Sequence, residues 1–257
     1  MQASERQKII LEYLKNNKVI LIKDVVKKFS VSHETVRRDF ELLQKQNLIT
    51  RVHGGAILKE AETDKSKSTI SSDKVYVDNL SHIGKEAAKL INDGETIILS
   101  IGSTVLEIAK NIKHKKITVL TNSISVINEL IDTDIELYVL GGKINSCEHT
   151  INGQMAHNNL QNFYVDKTFI GAGGITFDHG ISDYNTEESQ LINSMIHRGK
   201  KTILVADSSK FGMNCFSITC PLNTIDVIIS DKNLSDNYIT SIKDLGIDVI
   251  LANDEND

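Results

Sequence analysis

Ser30-Val31-Ser32-His33-Glu34-Thr35-Val36-Arg37-Arg38-Asp39-Phe40 is the stretch on which the reading of this 257-residue chain turns. Ser32 is a good helix N-cap, because its hydroxyl can accept from the free amides of the turn that follows. From His33 to about Gln46 the apolar residues Val36, Phe40 and Leu43 recur at i, i+4 and i+7, the buried stripe of a helix. Ser32, His33, Thr35, Arg37 and Arg38 crowd its first turns away from that stripe. Upstream, Val25, Val26 and Phe29 mark a short helix from Ile22 to Phe29, and Ser30-Val31 is the turn between the two. Two short helices joined in this way are a helix-turn-helix, whose second helix puts its N-terminal part into the DNA major groove. Hydroxyls and guanidiniums are the groups wanted there: Arg pairs bidentately with guanine, and Ser or Thr serves bases or phosphates. Whether Arg37 and Arg38 meet bases or phosphates is left open by the sequence.

Working outward, Ile9, Ile10, Tyr13 and Leu14 set a first helix from Glu5 to about Asn16, ended by Asn16-Asn17-Lys18. Beyond the third helix, Leu48 to Ile57 holds two β-prone runs around His53-Gly54-Gly55, whose glycines suit a hairpin turn. A basic hairpin after a recognition helix reads as a wing, with Arg51 and His53 set to meet the sugar-phosphate backbone. Charge agrees. Residues 1–57 carry 11 Lys+Arg against 6 Asp+Glu, whereas 58–257 carry 18 against 28. A basic head on an acidic body is the asymmetry of a chain in which one domain touches phosphates.

Glu60 to Lys74 has one sizeable apolar residue, Ile70, and reads as a linker too polar to fold alone. From about Val75 strands and helices alternate. Strand-like runs are Thr96–Leu99, Ile117–Leu120, Ile135–Leu140, Lys167–Gly171, Thr202–Ala206, Val227–Ser230 and Asp248–Leu251. Helical patterns between them include Ile83/Ala87/Leu90, Val105/Ile108/Ala109/Ile112, Val126/Ile127/Leu130, Leu191/Met195 and Ile239/Ile242. The alternation predicts an α/β domain, a mainly parallel, doubly wound sheet with helices on both faces, whose ligand site lies beyond the carboxyl ends of the strands. The expected organisation is a winged helix-turn-helix domain over 1–57, a linker over 58–74, and an effector-sensing and oligomerisation domain over 75–257.

Several strand ends carry suitable chemistry. Gly102-Ser103-Thr104 joins a strand to a helix, a natural phosphate cradle, although a glycine turn with a hydroxyl N-cap uses the same residues. Thr121-Asn122 closes another strand and Gly141-Gly142 follows a third. Gly171-Ala172-Gly173-Gly174 is glycine-rich in the same position. Asp207-Ser208-Ser209-Lys210-Phe211-Gly212 offers a carboxylate for sugar hydroxyls and an ammonium for a phosphate. The candidate effector residues are therefore Gly102, Ser103, Thr104, Asn122, Gly171, Gly173, Asp207 and Lys210.

The apolar runs are too short for a bilayer helix and no signal peptide is read at the N-terminus, so a cytoplasmic protein with no membrane contact is expected. Cys147, Cys215 and Cys220 lack CxxC spacing and zinc-site histidines, and read as reduced thiols; no metal or cofactor is expected.

Ser4 to Ile10, Val31 to Asp39 and Arg51-Val52-His53-Gly54-Gly55-Ala56 together resemble the DeoR family of bacterial sugar-metabolism regulators. The resemblance continues through Ile83-Gly84-Lys85-Glu86-Ala87-Ala88, the Gly102-Ser103-Thr104 loop, Thr121-Asn122, Gly141-Gly142, Asp166 to Gly171 and Asp207 to Gly212. It implies a sensor domain similar in fold to ribose-5-phosphate isomerase, which binds a phosphorylated sugar or related metabolite and then releases operator DNA, with repression the usual outcome. It also implies a homo-oligomer, dimer or tetramer. The chain departs from the family pattern at Ser100-Ile101, where Asp usually precedes the loop, and at Leu80 and Ile192, where lysines are common. Loss of these charges implies an altered effector specificity or a vestigial site. The competing expectation is a sugar-phosphate isomerase with a DNA-binding head, with Asp207 or Glu188 as the proton-transferring base.

Overall fold

The computed structural model describes residues 3–17, 19–46, 48–52, 55–58, 72–146 and 148–252. The chain forms two compact units, 1–69 and 70–257.

The first unit contains α1 (Ala3–Asn17), β1 (Val19–Leu21), α2 (Ile22–Phe29), α3 (His33–Lys45), β2 (Ile49–Val52) and β3 (Gly55–Leu58). Its core is built from Ile10 and Leu14 of α1, Val25 of α2, and Val36, Phe40 and Leu43 of α3, closed by Ile20, Ile49 and Ala56. The helical spacings seen in the sequence are thus the faces that pack. Two features differ from expectation. Val19–Leu21 is a strand, and it pairs antiparallel with β3 to give a three-stranded sheet in the order β1-β3-β2. Gly55 belongs to that sheet and not to the hairpin turn, since it is paired with both Val52 and Leu21.

The second unit begins with α4 (Ser72–Lys89), which starts inside the segment read as linker; residues 59–71 of that segment lie outside the described residues. There follow β4 (Thr96–Leu99), α5 (Ser103–Ile112), β5 (Thr118–Thr121), α6 (Ile124–Leu130), β6 (Glu136–Val139), β7 (Lys143–Asn145), β8 (Thr150–Asn152) and α7 (Gln154–Leu160). The remainder is β9 (Val165–Ile170), β10 (Gly174–Thr176), β11 (Gly180–Asp183), α8 (Thr186–Ile196), β12 (Gly199–Val205), β13 (Ser217–Cys220), β14 (Val227–Asp231), α9 (Asp236–Asp244) and β15 (Asp248–Ala252). All seven predicted strands join one parallel sheet, ordered β15-β14-β12-β9-β4-β5-β6. Five more short strands form antiparallel additions, β10-β11-β13 and the β7-β8 hairpin.

The sheet is doubly wound because its strands are apolar on both faces. Ile97, Leu99, Val119, Phe169, Ile203, Val205 and Ile229 point to one side, where α4, α5 and α6 supply Ile83, Ile108 and Val126. Their neighbours Ile98, Leu120, Ile170, Leu204 and Ile228 point to the other, against Leu160 of α7, Leu191 and Ile192 of α8 and Ile242 of α9. Period-two alternation with both sets buried is the requirement for helices on each face.

A DNA-reading helix and a sheet switch point

α3 is fixed from below. Asp39 lies on its buried face, 2% exposed, and a carboxylate there is tolerable when it is paired. Arg6 of α1 supplies the pair, Nε to Oδ2 at 2.5 Å, and Gln7 donates through Nε2 to the other oxygen at 2.9 Å. The opposite face is open to solvent. Ser32 is the N-cap, as the sequence predicted: its Oγ accepts from the Thr35 amide at 3.1 Å and lies 2.8 Å from Thr35 Oγ1. Ser32 and Arg38 are exposed; His33, Thr35 and Arg37 are half-buried. Ser30, in the turn before α3, takes the left-handed conformation at φ 51°. Arg51 stands on β2 with its side chain outside the described part, and His53 lies outside the described residues.

In the second unit, β4 and β9 are neighbours, and the chain leaves them in opposite directions across the sheet. This is a topological switch point, where ligand crevices form in such sheets. The two loops that leave it touch. A Cβ on Gly171 would sit 3.1 Å from the Ile101 carbonyl oxygen and 3.9 Å from Gly102 Cα, so glycine is what allows the approach. Gly102 itself, at φ 130°, is the N-cap of α5 and brings no side chain to cap it. The first-turn amides, including those of Ser103 and the buried Thr104, are left for another acceptor, which the positive end of a helix favours when it is anionic.

Gly173 is a close-packing glycine: a Cβ there would lie 2.9 Å from Cys215 Sγ and 3.1 Å from the Tyr184 ring. Burial pushes the Cys215 thiol pKa up, while a Tyr184 hydrogen bond and the nearby Lys210 ammonium oppose the shift. Asp207, 4% exposed at the end of β12, is already engaged. Its Oδ1 accepts from the Ser209 amide at 3.0 Å and from the Ser209 hydroxyl, forming the short turn that carries Lys210. Asn122 is likewise held, donating from Nδ2 to the Ile151 carbonyl at 3.2 Å, with its Oδ1 buried and without a partner.

Sequence reasoning missed the β7-β8 hairpin and what it brings. Glu188, at the start of α8 and 2% exposed, accepts from Thr150 Oγ1 at 2.6 Å and from Asn145 Nδ2 at 3.4 Å. Asn152, on the same hairpin, is fully buried with neither amide atom partnered. No local spacing announces these contacts, since Thr150 and Glu188 are 38 residues apart. Of the departures from the family pattern, Ser100, Leu80 and Ile192 are buried and Ile101 is half-buried. Among the described residues no group of His, Cys, Asp and Glu is arranged to hold a metal, and no helix is long and apolar enough to cross a membrane.

A helix-turn-helix with a paired wing, joined to a doubly wound sheet with an uncapped helix at its switch point, defines the class: a DNA-binding transcriptional regulator with an α/β sensor unit. Residues 6–62 match the DeoR-like helix-turn-helix domain and residues 77–232 the DeoR C-terminal sensor domain. The chain belongs to the DeoR family. It is 34% identical to the HTH-type transcriptional repressor GlcR of Bacillus subtilis (strain 168), over 98% of this chain and 97% of that one. It is 29% identical to a putative aga operon transcriptional repressor of Escherichia coli O157:H7, over 97% and 94%, and 31% identical to the lactose phosphotransferase system repressor of Lactococcus lactis subsp. lactis, over 93% and 95%. Among solved structures the fold is similar to ribose 5-phosphate isomerase A of Methanocaldococcus jannaschii, 17% identical over 55% of each chain, TM-score 0.40. Nearly full-length similarity to transcriptional repressors places the chain among regulators and sets aside the isomerase alternative.

Proposed function

We propose that the chain represses a carbohydrate-utilisation operon and leaves its operator when a phosphorylated sugar or related metabolite binds the sensor unit. The repressors of sugar-related systems among its relatives support the first half. The second half is carried by one observation: α5 begins at the switch point with its first-turn amides uncapped, where Gly102 and Gly171 let two loops meet.

In this reading the first unit is the DNA-binding domain and the second, from α4 onward, the effector-sensing and oligomerisation domain. Ser32, His33, Thr35, Arg37 and Arg38 meet the major groove, with Arg51 and His53 on the backbone beside it. Gly102, Ser103 and Thr104 receive the phosphate, and Lys210 neutralises it. Asn122 and Asp207 face the sugar, and Gly171 and Gly173 give the loops their close approach. Buried Ser100, Leu80 and Ile192 take away charges common in the family, so the effector differs from the usual ones. A homo-oligomer in the cytoplasm places paired heads on half-sites about 34–36 Å apart or at multiples of that spacing. Effector binding favours the arrangement of heads that fits the operator less well.

The test is release of a preformed protein–DNA complex. In a gel-shift titration, phosphorylated sugars should dissociate the complex at concentrations where the same sugars without phosphate do not. Equal release by both, or by neither, would refute the phosphate-recognition half and leave the DNA-binding half standing.

A further inference from the structure

The buried stripe of α3 is Val36, Asp39, Phe40 and Leu43. With 3.6 residues per turn, the positions facing away from it in the first two turns are Glu34 and Arg38. Both are exposed, 55% and 75% by side chain, and Arg38 Nε lies 3.3 Å from Glu34 Oε1. The Ser32 and Thr35 hydroxyls are engaged with each other and with the helix start. A helix that enters the groove with this face therefore carries an acid and a base, one turn apart, at its deepest point.

A carboxylate in that place is selective. Phosphates repel it, and so do guanine O6 and N7, adenine N7 and thymine O4, all of them acceptors. The donors on the major-groove edge are cytosine N4 and adenine N6, and adenine sets its N7 acceptor beside the donor. Cytosine is the base that a carboxylate can meet without an opposing lone pair. An exposed i, i+4 ion pair adds little to stability, so holding Arg38 is a weak reason for an acid at this position.

We propose that Glu34 is a base-reading residue: in each half-site it accepts a hydrogen bond from cytosine N4, while Arg38 donates to the O6 and N7 of an adjacent guanine. This rests on the reading of α3 as the groove helix. An acid in the first turn also stabilises the helix start whatever it reads, so sequence preference, and not affinity alone, is the decisive readout.

The experiment uses full-length protein and a pool of operator variants, randomised around the sites recovered from genomic DNA, selected by wild type, Glu34→Ala and Glu34→Gln. Circular dichroism checks that each variant is folded. Wild type should require cytosine at one position in each half-site, with roughly ten-fold weaker binding to other bases there. Glu34→Ala should accept all four bases almost equally at that position and keep its preferences elsewhere. Glu34→Gln should move the preference to adenine, which a carboxamide reads through N6 and N7. Undiminished cytosine preference in Glu34→Ala, or a uniform loss of affinity with the preference intact, would overturn this inference alone. Failure of wild type to select any discrete site would overturn the groove-helix reading and this inference with it.

Discussion

Replacing Arg6 with methionine should cost the DNA-binding unit much of its stability, because it strands the Asp39 carboxylate. Arg6 is 5% and Asp39 2% exposed, and the Nε–Oδ2 contact is 2.5 Å. Breaking one side of a buried pair costs about 3–5 kcal/mol, since the remaining charge is desolvated and uncompensated. Gln7 still donates to Oδ1, which puts the loss near the lower figure. A unit of about 69 residues holds roughly 3–10 kcal/mol in total, so the variant should stand at the edge of folding. Calorimetry of the full chain, with amide exchange on α1 and α3 to assign the transitions, reads the effect. At about 4 °C or more per kcal/mol for a unit of this size, the transition should fall by roughly 12 °C or more. The double variant Arg6→Met with Asp39→Asn removes the stranded charge and should recover at least half of the loss. A shift under about 5 °C, or a double variant no better than the single, would refute this explanation of how α3 is held.

Three other perturbations test the packing. Gly84→Ala places a Cβ 2.4 Å from Glu107 Cβ and 2.7 Å from its carbonyl carbon, so α4 and α5 must separate; denaturation of the sensor unit should show a loss of about 1–3 kcal/mol. Ser30→Gly relieves a non-glycine residue at φ 51° and should stabilise the DNA-binding unit by about 0.5–1 kcal/mol in the same calorimetry. Asp166 is held below the usual carboxylate range by the Lys200 ammonium at 2.8 Å and by the Thr96 amide and hydroxyl, each at 2.9 Å. A lowered folded-state pKa gives stability that is present above about pH 4 and lost on acidification. Asp166→Asn should therefore be less stable than wild type at pH 7, with the gap between the two unfolding curves narrowing steadily as the pH falls below about 4.

The seven sheet strands were legible because burial on both faces leaves continuous apolar runs such as Thr96–Leu99 and Val227–Ile229, and their ends differ from expectation by only a few residues. The short additions were not legible. β7 and β8 are Lys-Ile-Asn and Thr-Ile-Asn, three residues each, with no pattern long enough to show a period. β1 was hidden because Val19-Ile20-Leu21 runs into Ile22 of α2 without a glycine or proline between them. Glycines at strand ends announce turns, which is why Gly102, before α5, and Gly171, after β9, stood out in the sequence. Pairings across 33 residues (Arg6 with Asp39) or 38 (Thr150 with Glu188) depend on tertiary packing and leave no local trace. Glu34 was not legible because phosphates and guanine both call for donors on the protein, whereas cytosine N4 calls for an acceptor.

The most direct test of the central claim is to pass fragmented genomic DNA over the purified full-length protein and sequence what is retained. A sequence-specific regulator should retain a discrete, repeated site whose complex weakens with salt in proportion to the phosphates contacted. Retention of fragments without any shared sequence, weak and abolished by moderate salt, would contradict that claim.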